Sequence, residues 1–72
     1  MNIMVIIFRT TVLTKIQARK ILERLAVKYP IAKCNFDLDD CDKILRVESE
    51  EIFVDGIVEA VLSCNIQCEI LE

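Results

Sequence analysis

At 72 residues the chain is about half the length of an average domain, which leaves room for one compact domain over 1–72 and excludes a multistep enzyme with its own cofactor domain. Apolar types make up 54% and charged types 29%, with one Gly and one Pro, a globular composition that excludes a disordered or fibrous chain. The net charge of −3 is unevenly spread, because residues 1–33 hold seven of the nine cations and one of the twelve anions, so that a basic half precedes an acidic one. Two such halves are expected to lie side by side and compensate.

The longest uninterrupted apolar run, Ile3 to Phe8, is far below the ~20 residues that span a bilayer. Only Met1 and Asn2 precede that run, too little for the basic n-region of a secretory signal, so the expected location is the cytoplasm. In that reducing compartment the four cysteines are expected as free thiols.

Ile3 to Phe8 is rich in β-branched and aromatic residues and apolar on both faces, as a central strand requires. From Thr14, Ala18, Ile21, Leu22, Leu25 and Tyr29 recur at intervals of three and four until Tyr29-Pro30 stops the pattern, which predicts an amphipathic helix. Its start is marked by a Thr14-x-x-Gln17 capping box, with Leu13 and Ala18 in the staple positions around it. Ala32, Cys34, Phe36 and Leu38 alternate with polar residues as a half-buried strand does, and Lys43 to Glu48 forms another after a hairpin turn at Asp39 to Asp42. Ser49 is expected to cap a second helix, with Glu50 and Glu51 in its first turn and Ile52, Phe53, Ile57, Val58, Val61 and Leu62 along its buried stripe. A last strand follows over Ile66 to Ile70. The order β-α-β-β-α-β predicts an α+β, ferredoxin-like fold, with an antiparallel four-stranded sheet of order 4-1-3-2 and two helices on one face.

The spacing from Ile21 through Leu25 to Tyr29-Pro30-Ile31 is similar to the first helix and second strand of heavy-metal-associated domains, and the resemblance covers the whole chain. It implies the same fold. Those domains carry Met-x-Cys-x-x-Cys after the first strand, two thiolates suited to copper(I). Aligned backward from Ile21, that motif falls on Val12 to Gln17, and its two cysteine positions are Thr14 and Gln17, which read better as a helix cap. No metal and no cofactor are therefore expected in this loop.

Cys34 and Cys68 fall on inward positions of strands and read as core residues. Cys41, in the acidic hairpin, and Cys64, after the second helix, could meet at one end of the sheet as a thiol pair for metal or redox chemistry. Asp37, Asp39, Asp40 and Asp42 fail the spacing of a calcium loop, since Cys41 and Asp42 stand where an oxygen ligand and Gly belong. Lys20, Arg24 and Lys28 form a basic stripe, but nucleic-acid binding is not expected where the open sheet face would offer at most Phe8 for stacking. With no His and a single Gly the chain offers no nucleophile elbow and no phosphate loop, so no enzyme is expected.

These readings converge on a small non-enzymatic binding or protein-interaction domain, with a homo-oligomer or another protein as partner; the alternatives are the thiol-based metal or redox module on Cys41 and Cys64 and a purely structural homo-oligomerisation unit. Two surfaces are candidates. One is a rim of Arg9, Thr10, Thr11, Asp39, Asp40, Cys41, Asp42 and Cys64. The other is a dimer face on the open side of the sheet, formed by Met4, Ile6 and Phe8 and joined by Ile44.

Overall fold

The computed structural model describes residues 2–71, so Met1 and Glu72, the two ends of the expected domain, lie outside the described residues. Four strands and two helices follow one another as β1 (Met4–Thr10), α1 (Lys15–Lys28), β2 (Lys33–Asp37), β3 (Ile44–Ser49), α2 (Val54–Leu62) and β4 (Cys68–Ile70). The sheet order is β2-β3-β1-β4, every pairing is antiparallel, and β1 is central. This is the predicted topology.

Strand β1 runs two residues further than its apolar run, because Arg9 and Thr10 pair with Glu69 and Cys68 of β4. Its faces are the reverse of those expected. Phe8 has no exposed surface and Ile6 packs against the core with it, whereas Val5, of the other parity, is 45% exposed. The dimer face expected on Met4, Ile6 and Phe8 is therefore corrected: Ile6 and Phe8 point toward the helices, and Met4, of the same parity, is 45% exposed at the start of the strand. A phenylalanine ring is the largest filler available in this strand, and the space between sheet and helices takes it.

Helix α1 begins as predicted. Thr14 Oγ1 accepts from the Gln17 N–H at 3.1 Å, and Gln17 Oε1 accepts from the backbone N–H groups of Thr14 and Leu13 at 3.2 and 2.8 Å. The staple does not form, since Leu13 is 78% exposed and the amide bonds alone fix the turn. Ala18, Ile21 and Leu25 bury the inner stripe. The helix ends where the Tyr29 N–H reaches Leu25 O at 2.7 Å, just before Pro30.

The start of α2 differs from expectation. Ser49 belongs to β3, opposite Met4, and Glu50 and Glu51 lie in the bend beyond it. Phe53 is the N-cap residue, with no side-chain cap, and Asp55 is the acidic residue of the first turn. Continued pairing with β1 outweighs the cap signal of Ser49, and Ile52 packs against the core from the approach to the helix and not from within it.

Among the described residues, charge compensation by ion pairing is confined to the sheet. Among the described residues the ion pairs within 4.0 Å are Arg9–Glu69 at 3.4 Å and Arg46–Glu48 at 2.8 Å. The cations of α1 enter none, contrary to the side-by-side expectation. Their long side chains stay solvated, and Arg24 instead donates to Ser63 Oγ at 2.5 Å, tying α1 to the end of α2.

Candidate functional site

The rim is assembled by the C-terminal end of β1, the turn between β2 and β3, and the segment before β4. Thr10 joins the first two: its N–H donates to Asp42 O at 3.0 Å and its Oγ1 donates to Lys43 O at 2.6 Å. Thr11 joins the first and third, with its N–H on Gln67 O at 3.2 Å and its Oγ1 accepting from the Gln67 N–H at 3.0 Å. The three segments therefore share one end of the sheet, as the topology predicts. The two hydroxyls are structural ties, however: Thr10 is buried with its hydroxyl spent on backbone, whereas Thr11 is exposed and its hydroxyl accepts from Gln67. Arg9 is half-exposed beside Glu69 on the sheet side of this end. Gln67 is a rim residue that the sequence reading missed. Its place follows from register, because pairing Thr10 with Cys68 puts Thr11 opposite Gln67.

The acidic turn is organised by its own carboxylates. Asp37 Oδ1 accepts from the Asp39 N–H at 3.2 Å and Asp40 Oδ1 accepts from the Asp42 N–H at 2.8 Å, the side-chain-to-backbone pattern that makes aspartate a turn former. Lys43 closes the turn in a left-handed conformation, φ 47°, and its Nζ donates to Leu38 O at 2.9 Å. One ligand atom each from Asp40, Cys41 and Asp42 lies within 4.8 Å of the others, with Asp40 and Cys41 exposed. Cys64 does not belong to that cluster. It is half-buried against the core and its thiol faces Ala60 O at 3.7 Å.

The remaining thiols are inward, as expected. Burial pushes the Cys34 thiol above its ordinary range. Cys68 is pushed up to about 11, by burial first and by the neighbouring Glu69 carboxylate second. Both are poor nucleophiles near neutral pH.

The opposite end of the sheet carries a feature that the sequence reading passed over. A cavity of about 300 Å³ opens there, its walls including Tyr29, Pro30, Ala32, Val47, Ile52 and Phe53. Tyr29 and Phe53 stack with centroids 6.0 Å apart, and Lys28 Nζ lies 5.5 Å from the Tyr29 ring centre. Gly56 inside α2 was the available signal: a Cβ there would overlap Tyr29 Oη. Gly56→Ala is accordingly expected to cost about 1 kcal/mol net despite the better helix propensity of alanine. In a Tyr29→Ala background the same change should stabilise by about 0.5–1 kcal/mol. Denaturant melts of the four proteins check this, and an effect of the same sign in both backgrounds would show that Tyr29 is not what demands the glycine.

Among the described residues no helix is long and apolar enough to cross a membrane. No family model matches the chain, and no curated protein matches it. Among solved structures it is similar to the yeast copper transporter domain Ccc2A, whose solution structure covers apo and Cu(I)-loaded states, with a TM-score of 0.77, 23% identity and 94% of each chain covered. The fold is ferredoxin-like. The likeness supports the architecture implied by the resemblance to heavy-metal-associated domains.

Proposed function

We propose that this chain is a small, non-enzymatic binding or interaction domain of heavy-metal-associated type whose first loop does not take up a metal. The observation that carries this reading is the capping box. The two positions that correspond to thiolate ligands hold Thr14 and Gln17, whose side-chain oxygens together accept three backbone N–H groups at the start of α1. A hydroxyl and an amide oxygen are hard donors, poorly matched to a soft monovalent copper ion, and here they serve the helix. The four free thiols suit a reducing compartment such as the cytoplasm.

Native mass spectrometry of reduced protein offered one equivalent of Cu(I) against a competing chelator tests the proposal. We expect no copper held through this loop, and Thr14→Ala/Gln17→Ala should leave the spectrum unchanged while costing about 1 kcal/mol in thermal stability. Copper retained by the parent protein and lost from the double variant would overturn the reading.

A second reading, a thiol module built on Cys41 and Cys64, draws support from the convergence of Asp40, Cys41 and Asp42. It requires Cys64 to leave its place beside Ala60. A stoichiometric Cys41–Cys64 disulfide in freshly lysed cells, or zinc retained by the parent protein and lost from Cys41→Ser, would move it ahead.

A further inference from the structure

The open face of the sheet has an ordered pattern of charge. Register places Lys33, Glu48 and Val5 in one row across β2, β3 and β1, and Asn35, Arg46 and Ile7 in the next. The third row is Asp37, Ile44, Arg9 and Glu69. Leu71, whose N–H donates to Ile7 O at 2.8 Å, extends the middle row. Three cations and three anions balance on this face, around an apolar centre of Val5, Ile7, Ile44 and Leu71. Elsewhere charge is segregated, with basic α1 on one side and the acidic turn at one end. A neutral face can meet its own copy without net repulsion.

We propose that this face is a homodimer interface, two copies meeting about a twofold axis that runs across the strands through the middle row. Such an axis keeps each strand over its own counterpart and reverses its direction. Lys33 of each copy then faces Asp37 of the other, twice by symmetry. Glu48 comes diagonally beside the other copy's Arg9, and the whole middle row meets its equivalents at the axis, Ile7 and Leu71 as apolar pairs and Arg46 facing Arg46, each guanidinium held by its own Glu48 at 2.8 Å. The alternative twofold, along the strands, sets Asp37 over Glu69 and leaves Lys33 with no counterpart. Two Lys33–Asp37 pairs outweigh one Arg46–Arg46 approach that Glu48 compensates within each copy, so charge selects the first arrangement. At ordinary strand spacings the face offers roughly 400 Å² per copy, against ~800 Å² in a standard interface, so the dimer is weak and concentration-dependent.

Sedimentation equilibrium from ~20 µM to ~1 mM, the range of a weak complex, reads the association. The parent protein should dimerise and stop at the dimer. Lys33→Asp and Asp37→Lys, each on an exposed position of an edge strand and each verified as folded by circular dichroism, should weaken self-association about tenfold by facing like charges. Mixed in equal amounts, the two variants should associate again, because at both ends of the face an aspartate of one variant then meets a lysine of the other. A parent protein that stays monomeric, or assembly beyond the dimer, overturns the proposal. So do single variants that associate like the parent, or a mixture no tighter than its components.

Discussion

Phe8→Ala is expected to leave the domain largely unfolded at room temperature. The side chain is fully buried in the central strand, beside Leu45 of β3 and Ile70 of β4 in register, and it fills the space beneath both helices. Truncating a buried phenylalanine costs about 3–5 kcal/mol, by lost transfer energy and by the cavity left behind. A core of this size supplies only about 3–5 kcal/mol in all, so one such loss consumes most of it. Val5→Ala, three residues earlier and on the opposite face, should cost less than about 1 kcal/mol because its side chain is already 45% exposed. Urea denaturation followed by circular dichroism compares the two. A cooperative Phe8→Ala transition close to that of the parent protein would show that Phe8 is not the centre of the core.

That contrast marks where the sequence stopped being informative. In Ile3 to Phe8 both parities are apolar, so periodicity identifies a central strand and says nothing about which set faces the helices. Only the partners decide it: Phe8 lies opposite Leu45 and Phe36 faces the same layer from β2, so the three large side chains fill one core. Where alternation is clean, as at Cys34 and Phe36 of β2, the inward face was legible. The same holds for α1, whose cap and apolar stripe agree with each other. At α2 two local signals competed. Ser49-Glu50-Glu51 has the chemistry of a helix start, yet Ser49 pairs with Met4, and the chain needs the bend at 50–51 to turn Ile52 toward the core. A cap is worth about 1 kcal/mol, less than a ladder bond together with a partly buried isoleucine.

The rim was legible as a place, but the roles of its residues were not. Topology alone brings the end of β1, the acidic turn and the approach to β4 together. Whether a threonine there offers its hydroxyl to solvent or spends it on backbone depends on which neighbouring amides and carbonyls lack strand partners, and that depends on turn geometry. Lys43 in a left-handed conformation presents its carbonyl to Thr10, and no short pattern in Asp39 to Asp42 announces it. The cavity beside Tyr29 escaped for a similar reason, since its walls come from segments as far apart as residues 28–32, Val47 and Ile57, which local periodicity cannot bring together.

Thr10→Val should cost about 2 kcal/mol although the two side chains have nearly the same shape. Thr10 Oγ1 donates to Lys43 O and accepts from the Val12 N–H at 3.3 Å, in a site with almost no solvent exposure. Valine removes both bonds and leaves a carbonyl and an amide without partners, and Val12 is itself fully buried, so water is poorly placed to replace the lost acceptor. Thr10→Ser keeps the hydroxyl and should stay within about 1 kcal/mol of the parent, the loss being one methyl group. The effect should also be local. With the Lys43 carbonyl released, the turn is held to β1 only by the Thr10 N–H to Asp42 O bond, so the Lys43 amide, which donates to Asp40 O, should exchange with solvent faster than the core amides of β1 and β3. Denaturant melts and amide exchange on the three proteins measure both parts. Equal stability of the valine and serine variants would show that the hydroxyl contributes nothing to the rim, whereas uniform acceleration of exchange across the sheet would show that Thr10 supports the whole fold and not this turn in particular.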